Sequence, residues 1–324
     1  MITNRQEREA YSRGDSIAVV GATCPLGKNL VNSLLAAGFS VHGFYRSWQK
    51  VPSLWREHPS FQGSEFDLTQ TAALAKTLET SQRIIWLAQC RDTLTHTTGQ
   101  DLNALALQAV CARSVHVYRK IVLLSSGGSI YGNPSSLPVS EDHPCRPLSK
   151  YGESKRKMEE VLCANVERMA GLSGAVLRCG NIYGQTYLAP DAMGCIGAFT
   201  RAVMARQPVP LIAGGLAVRD FVHVDDVSQA ILSAISCDHR FAVWNVGSGV
   251  GTQIIQVLEM ICEILGCSPV DFVDADARSG DVKDIVLNIS RIERDCSWRP
   301  KINLLQGLES MLTPFRGLES LPND

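Results

Sequence analysis

The chain has 324 residues, of which 45% are hydrophobic and 19% are charged, and its formal net charge is −1. This composition is ordinary for a globular protein with a sizeable core, and the length suggests about two domains. The near-zero net charge and the lack of any run of ~18 apolar residues predict neither a nucleic-acid nor a membrane partner.

The 11 cysteines are scattered and show neither a C-x-x-C pair nor a Cys/His run at zinc spacing. Their odd number and their spread indicate reduced thiols, so we predict a cytoplasmic protein with no metal site. Residues 1–15 lack the apolar segment of a signal peptide. We expect them, and residues 316–324, to be loose tails.

The first predicted strand is the apolar run Ser16–Val20, which is typical of a strand buried on both faces of a parallel sheet. A glycine loop and a helix through Ala37 follow, closed by Gly38. A strand, a glycine turn and a helix in this order form a dinucleotide-binding unit, in which backbone N–H groups at the helix N-terminus hold the pyrophosphate. The candidate cofactor residues of this loop are Gly21, Thr23, Cys24, Pro25, Leu26 and Gly27.

One residue of the loop departs from the glycine pattern. Cys24 stands where the middle glycine is expected, and its Cβ would approach a pyrophosphate. Two interpretations stay open: a small residue that is tolerated, or a residue that weakens cofactor binding.

The second predicted strand, 40–46, ends where an acid usually accepts hydrogen bonds from the ribose 2′-OH of NAD. Here that position is Tyr45, and Arg46 follows it. A cation at this point suits the 2′-phosphate of NADP, whereas the alternative is that Arg46 stacks on the adenine. A third strand is predicted to end at 64–68, so that Asp67 and Leu68 meet the adenine edge.

The strand pattern continues at 83–88 and 120–126, with a helix predicted over 101–117. Alternating strands and helices predict an α/β fold with a doubly wound parallel sheet. Ligands of such sheets bind at the carboxyl ends of the strands, so Gly21, Ala88 and Ser126 should converge. This edge adds the candidate cofactor residues Leu87, Ala88, Gln89, Asn103 and Ser125.

Tyr151 and Lys155 lie four residues apart, on one face of a predicted helix. We expect the ammonium of Lys155 to lower the pKa of the Tyr151 phenol, which would make it a proton-transfer group toward an alcohol. By itself the pair is more typical of a solvated helix face, because Tyr and Lys at this spacing often occur by chance. The surroundings of the pair decide between the two interpretations. Hydroxyls at the end of the strand at 120–126 and the glycine loop are predicted to face the pair.

The second half of the chain predicts a sixth strand at 174–178 and helices near 193–206, 225–236, 252–265 and 304–315. Arg219 falls on a strand-like stretch, and Arg278 and Asp281 fall in a glycine-containing loop. Arginine forks suit phosphate oxygens, and an aspartate accepts from a ribose hydroxyl.

With these motifs in order, the chain resembles the extended short-chain dehydrogenase/reductases, and among them the UDP-galactose 4-epimerase-like members of the NAD-dependent epimerase/dehydratase family. The resemblance covers about residues 16–315. It depends on the glycine loop, the Tyr151/Lys155 pair and five segments, 125–132, 178–184, 219–226, 245–249 and 278–281.

The resemblance implies a Rossmann domain over 16–180, with contributions from about 216–250. A smaller, interleaved C-terminal substrate domain would comprise 181–215 and 251–315. It implies bound NAD that takes hydride from C4 of a nucleotide-diphosphate sugar, and a homodimer formed through a helix bundle. Tyr151 would be the acid/base, Lys155 would hold the nicotinamide ribose, and Cys179 would border the cofactor. The implied substrate residues are Ser126, Ser129, Asn181, Arg219, Arg278 and Asp281.

Two departures from the family pattern limit which of the family's activities we predict for this chain. The usual catalytic Ser/Thr position falls on Gly127, so Ser126 or Ser129 must supply the hydroxyl, and we favour Ser126. The related dehydratases carry an acidic residue about where this chain has Gly127 and Gly128. We therefore predict an NDP-hexose 4-epimerase, with two alternatives: an NADP-dependent reductase of a 4-keto NDP-sugar, and a non-catalytic dinucleotide-sensing or scaffold protein.

Overall fold

The structure is a computed structural model, and it describes residues 16–90, 101–113, 119–188, 194–267, 271–276 and 280–317. The predicted tail at 1–15, most of the one at 316–324, and Arg278 lie outside the described residues.

The strands are β1 (Ser16–Val20), β2 (Ser40–Tyr45), β3 (Phe61–Glu65), β4 (Arg83–Trp86), β5 (Arg119–Ser126), β6 (Leu172–Cys179), β7 (Asn181–Tyr183), β8 (Val209–Ile212), β9 (Val218–His223), β10 (Phe241–Val246), β11 (Gly251–Gln253) and β12 (Phe272–Ala275). The helices are α1 (Pro25–Ala36), α2 (Ser53–Arg56), α3 (Thr71–Thr77), α4 (Leu102–Ala112), α5 (Gly127–Ile130), α6 (Lys150–Arg168), α7 (Cys195–Met204), α8 (Val224–Ser236), α9 (Ile254–Leu265), α10 (Ser290–Cys296) and α11 (Leu304–Leu312).

Within the described part of the chain, seven strands form one sheet in the order β10-β6-β5-β4-β1-β2-β3. The pairs β1–β2, β1–β4, β2–β3 and β4–β5 are parallel, and Ile17 lies opposite both Val41 and Arg83. The strand order reverses at β1, which is the point where doubly wound sheets bind ligands. The predicted fold class is confirmed.

The chain divides into two compact units. The first lies within Met1–Ser125, Glu153–Leu177 and Ile231–Val243, and the second within Ser126–Gly152, Arg178–Ala230 and Trp244–Asp324. The division falls within β5, α6, β6, α8 and β10, whereas the sequence predicted a boundary after residue 180. It assigns residues 126–152 to the second unit.

Each unit has its own core. In the first, residues of the apolar strands, such as Val20, Ile84 and Trp86, pack with Met158 and Leu162 of α6. In the second, α7, α9 and α11 pack their apolar faces around β7, β8 and β9. The second unit also contains the small sheets β11-β9-β7 and β12-β8.

Several predicted boundaries were wrong by a few residues. The third strand ends at Glu65, so Asp67 and Leu68 follow it, and the helix predicted over 101–117 ends at Ala112. The last helix ends at Leu312 because residues 313–315, which include Pro314, form a short 3₁₀ turn. None of the 11 cysteines forms a disulfide. Among the described helices, none has the length and apolar character of a membrane span.

Candidate active site

The glycine loop of the first unit leaves no room for side chains at its first and last glycines. Gly21 has a φ of +96°, and a Cβ there would lie 2.8 Å from the backbone nitrogen of Ala88. A Cβ on Gly27 would lie 2.4 Å from the carbonyl oxygen of Gly21. The nitrogens of Leu87 and Ala88 both donate to Val20 O, so the loops after β1 and β4 are neighbours. The expected convergence of Gly21 and Ala88 is confirmed.

Cys24 has a role that the sequence did not show. It is the N-cap residue of α1, and its Sγ accepts a hydrogen bond from Gly27 N at 3.3 Å. Pro25 follows in the first turn, where a missing N–H costs nothing. Burial raises the pKa of the Cys24 thiol, although hydrogen bonds and the charge of Lys155 oppose this shift. The Cys24 thiol therefore accepts the hydrogen bond of the Gly27 amide, which could otherwise donate to a pyrophosphate.

The residues expected near the adenosine lie at the ends of β2 and β3. Tyr45 is buried, and a Cβ on Gly63 would lie 2.3 Å from its hydroxyl oxygen, so its phenol packs within the first unit. Arg46 and Asp67 are exposed. Hydrogen bonds from Thr69, together with the charge of Arg46, hold the pKa of Asp67 below its usual range. The cationic Arg46 thus lies directly after β2, near the carboxylate of Asp67.

Two buried polar side chains of the first unit have no hydrogen-bond partner among the described residues. They are the carboxamide of Gln89, through both Nε2 and Oε1, and the hydroxyl of Ser125. Unsatisfied buried groups are rare in folded proteins because each one costs roughly 1–3 kcal/mol. These unsatisfied groups lie in the same unit as the glycine loop, in which an added Cβ would clash. They fit a polar ligand such as a dinucleotide.

Asn103 supports this region from inside the protein. It is fully buried, its Oδ1 accepts from Cys90 N at 2.7 Å, and its Nδ2 donates to Ser154 Oγ at 3.2 Å. The predicted contact of Asn103 with the cofactor stays a prediction, and the structure shows that its carboxamide is hydrogen-bonded within the protein. It links the stretch after β4 to the residue that precedes Lys155.

Lys155 is buried, and its Nζ donates to Leu124 O at 2.8 Å. Its charge acts on Cys24, which places the ammonium on the side of the glycine loop. A buried ammonium that is held by a backbone carbonyl is the opposite of a solvated helix face. The alternative interpretation of this residue as a surface lysine was wrong.

Tyr151 lies in the first turn of α6 and belongs to the second unit, as does Ser126 at the end of β5. Its residue is 45% exposed, whereas the hydroxyl end is enclosed by protein. The loss of solvation raises the pKa of Tyr151 to about 12, and a hydrogen bond from Ser126 opposes this shift. The buried Cys179 thiol adds to the rise.

The sequence predicted a lowered pKa for the Tyr151 phenol, whereas burial raises it in this structure, and the effect of Lys155 on the phenol stays a prediction. Within the second unit, burial and Cys179 raise this pKa and Ser126 lowers it. In the first unit, the Lys155 Nζ donates to Leu124 O. The hydrogen bond between Ser126 and Tyr151 lowers the pKa, so Ser126 donates to the phenolic oxygen and favours its ionised form. The structure thus places the Ser126 hydroxyl at Tyr151, and its role as the catalytic hydroxyl stays a prediction.

The structure also explains why the usual serine or threonine position is a glycine. A Cβ at Gly127 would lie 2.7 Å from Leu287 Cδ1 and 2.9 Å from the carbonyl oxygen of Arg178. The apolar Leu287 side chain fills the space that a hydroxyl would need. Ser129 is half-buried in α5, and its carbonyl oxygen lies close to Gly152 of α6.

Asn181 begins β7 in the second unit, near Gly128 and Ser126. A Cβ on Gly128 would lie 3.5 Å from Asn181 Oδ1 and 4.0 Å from Ser126 Oγ. Asn181 also lines a cavity with the N-terminus of α7, formed by Gly194, Cys195, Ile196 and Gly197. The sequence analysis missed these α7 residues, although the glycine before the helix was a usable signal of an anion site.

Arg219 lies close to this cavity, because its charge lowers the pKa of the Cys195 thiol against the larger effect of burial. Its guanidinium donates to the carbonyl oxygens of Val218 and Lys283 at 2.9 Å and of Val282 at 2.6 Å. Asp281 is exposed and raises the pKa of Arg219 against burial. The predicted phosphate contacts of Arg219 and Arg278 stay predictions, as does the ribose contact of Asp281.

The sheet order and the glycine loop of the first unit are those of a dinucleotide-binding α/β protein. The model of the family described as "NAD dependent epimerase/dehydratase family" matches residues 17–247. The chain therefore belongs to this family. Among the described residues, no group of histidines, cysteines and carboxylates is arranged to hold a metal ion.

Curated relatives include a UDP-glucose 4-epimerase of Azospirillum brasilense, 31% identical over 67% of this chain and 66% of its own length. A dTDP-4-dehydro-6-deoxyglucose reductase of Escherichia coli is 28% identical over 61% of each chain. The matched segments thus span less than two thirds of these relatives. Among solved structures, the UDP-glucose 4-epimerase of Thermotoga maritima with UDP-glucose is 26% identical, with a TM-score of 0.81 over 93% of this chain and 98% of its own.

Proposed function

We propose that this protein is a 4-epimerase of a nucleotide-diphosphate hexose, of the UDP-sugar class, that works with bound NAD. The observation that carries the proposal is the hydrogen bond from Ser126 to the Tyr151 hydroxyl, on a helix whose next turn carries the buried Lys155. The family and the UDP-glucose 4-epimerases among its relatives support the same activity.

Tyr151 takes the proton of the sugar C4 hydroxyl, and Ser126 holds the same oxygen by a hydrogen bond. NAD, when bound, supplies the hydride acceptor for C4 and a positive charge that favours the phenolate. When the sugar is reduced again on the opposite face of C4, Tyr151 would return the proton to the oxygen. Ser126 opposes the burial that raises the Tyr151 pKa.

The cofactor fits residues of the first unit. Gly21 and Gly27 allow the tight turn and the close backbone packing that put the N-terminus of α1 at the pyrophosphate, and the unsatisfied groups of Gln89 and Ser125 give the cofactor hydrogen bonds. In the second unit, Asn181, the α7 N-terminus and Arg219 hold the diphosphate of the substrate, with Arg278 and Asp281 as further contacts. We assign dinucleotide binding to 16–180 with 216–250, and nucleotide-sugar binding to 181–215 and 251–315.

A second candidate is an NADP-dependent 4-keto NDP-sugar reductase. Arg46 favours it, because this exposed cation stands at the end of β2 where no acid is available for a ribose 2′-OH. The Escherichia coli relative is named for a reductase of this kind. The same Tyr151 and Lys155 chemistry serves both reactions.

The nucleotide that co-purifies with the protein, released by denaturation and identified by mass, decides between the candidates. NAD near unit occupancy, with interconversion of UDP-glucose and UDP-galactose and no net redox change, supports the epimerase. Stoichiometric oxidation of NADPH by a 4-keto NDP-sugar would instead establish the reductase.

Tyr151→Phe tests whether the protein is an enzyme at all. Removal of the acid/base should lower turnover by about 10²–10⁴-fold, with the nucleotide content unchanged. Ser126→Ala should lower turnover more than Ser129→Ala, its matched control. No measurable turnover of any NDP-sugar in either the wild-type protein or Tyr151→Phe would favour the non-catalytic, dinucleotide-sensing alternative, and an unchanged measurable turnover would contradict the role of Tyr151.

We also propose a cytoplasmic location, based on 11 cysteines without a disulfide. The proposed homodimer uses α4 and α6, which are joined by the paired carboxamides of Gln108 and Asn165. Partly exposed apolar residues, Leu105, Ala109 and Val161, lie on these helices.

A further inference from the structure

Arg219 is tied to a segment far from it in sequence. One of its terminal nitrogens, Nη1, donates to Val218 O and Lys283 O, and the other, Nη2, donates to Val282 O. Three of its five N–H groups therefore hold backbone carbonyls. The other two N–H groups, the Nε–H and one Nη2–H, lie on one edge of the planar guanidinium and can donate to a ligand.

The segment 280–285 is fastened at further points within the second unit. Lys283 N donates to Asn133 Oδ1 at 2.7 Å, and Val218 N donates to Asp284 Oδ1 at 2.9 Å. Ile285 N donates to Val218 O at 3.1 Å. The segment thus has a defined position that depends on β9 and on Arg219.

The other end of this segment touches the residues that begin the Tyr151 helix. Gly280 has a φ of +91°, and a Cβ there would lie 2.7 Å from Leu148 O and 3.0 Å from Ser149 Cβ. Ser149 Oγ in turn accepts a hydrogen bond from Gly152 N at 3.2 Å. Ser149 therefore caps the first turn of α6, the turn that carries Tyr151.

We propose that Arg219 is a positioning residue for Tyr151. By fastening residues 280–283 against Leu148 and Ser149, it fixes the first turn of α6 and hence the place of the phenol beside Ser126. In the proposed function the guanidinium also holds the substrate diphosphate, so the same side chain would link anion binding to the acid/base. This inference rests on the proposed function for the role of Tyr151, but the linkage itself exists in the ligand-free protein.

Amide hydrogen exchange of the ligand-free protein tests the linkage directly. Arg219→Ala should raise the exchange rate about tenfold or more in 282–285, and also in 149–152, where the Gly152 amide reports the Ser149 cap. Arg294→Ala, which removes an exposed arginine of the second unit, is the matched control and should change neither segment. Faster exchange in 282–285 alone, or in neither segment, would overturn the proposal.

Gly280→Ala tests the same link from the other side and leaves Arg219 in place. A Cβ at this position must displace the segment from Leu148, so exchange at 149–152 should rise. If Arg219→Ala does not fold, this variant decides alone. Unchanged exchange at 149–152 in Gly280→Ala overturns the proposal.

Turnover of UDP-galactose separates positioning from phosphate contact. In Gly280→Ala we expect kcat to fall about tenfold and the pH profile of kcat to shift, because the phenol and Ser126 are no longer aligned; a change in KM would report the neighbouring substrate contacts. A rise in KM alone, with an unchanged pH profile, would contradict positioning. If the wild-type protein turns over no UDP-sugar, the proposed function fails, and the exchange experiment still decides the linkage.

Discussion

At the scale of single residues, the two departures from the family pattern have defined partners in the structure. Cys24 is the cap of α1, and Gly127 lies under Leu287. At each of these two positions, the residue that departs from the pattern makes a specific contact within the protein. A substitution at each position can therefore test the importance of that contact.

Cys24→Gly should keep or tighten the affinity for NAD, because it removes the thiol from Gly27 N and frees that amide for the pyrophosphate. The same change should lower the free energy of unfolding by only a few tenths of a kcal/mol, since glycine is an acceptable N-cap. Fluorescence titration measures the affinity. Cys24→Ser keeps an acceptor for the amide and is the control; a clear loss of affinity in Cys24→Gly contradicts the prediction.

Gly127→Ser should not restore the family hydroxyl. The new Cβ would approach Leu287 and the Arg178 carbonyl within 2.9 Å, so we expect the free energy of unfolding to fall by about 1–3 kcal/mol. Urea unfolding measures this change. Gly128→Ser is the matched control, because a Cβ there meets only Asn181 Oδ1 at 3.5 Å and Ser126 Oγ at 4.0 Å. Equal stabilities of the two variants would show that Leu287 does not exclude the side chain.

At the scale of elements, a buried arginine joins the ends of two helices in the first unit. Arg119 is 0% exposed, and its guanidinium donates to the carbonyl oxygens of Leu78, Glu79, Ser81 and Val110. These carbonyls follow α3 or belong to the last turn of α4, where helices leave acceptors unsatisfied. Arg119 thus completes both helix ends from β5.

Arg119→Met should lower the free energy of unfolding by about 3 kcal/mol or more, because several buried carbonyls lose their donor at once. Thermal or urea unfolding checks this. Arg113→Met removes a half-exposed arginine that pairs with Glu79, and we expect a change below about 1 kcal/mol. Similar losses in the two variants would contradict the capping role.

At the scale of the whole molecule, we predict a homodimer through α4 and α6. Light scattering should give twice the 35.3 kDa mass of the chain. Leu105→Glu should shift the protein to monomer, because it places a charge on the proposed apolar interface. Leu54→Glu changes an exposed leucine of the first unit and should leave the dimer intact. A monomeric wild-type protein would refute the assembly.

The sequence alone determined the fold class and the positions of the motifs. Buried parallel strands read as continuous apolar runs, and the glycine loop and the Tyr151–Lys155 spacing are local patterns. The ends of elements were less certain: β3 ended early, and α4 ended at Ala112.

Only the tertiary structure decided the partners of the site residues. Ser126 meets Tyr151, the Lys155 ammonium turns to Leu124 O, and Arg219 holds Val282 and Lys283. The physical reason is that each of these contacts joins residues far apart along the chain, and its existence depends on how strands and helices bring them together. Burial, which raised the Tyr151 pKa against expectation, likewise depends on the complete packing around the phenol.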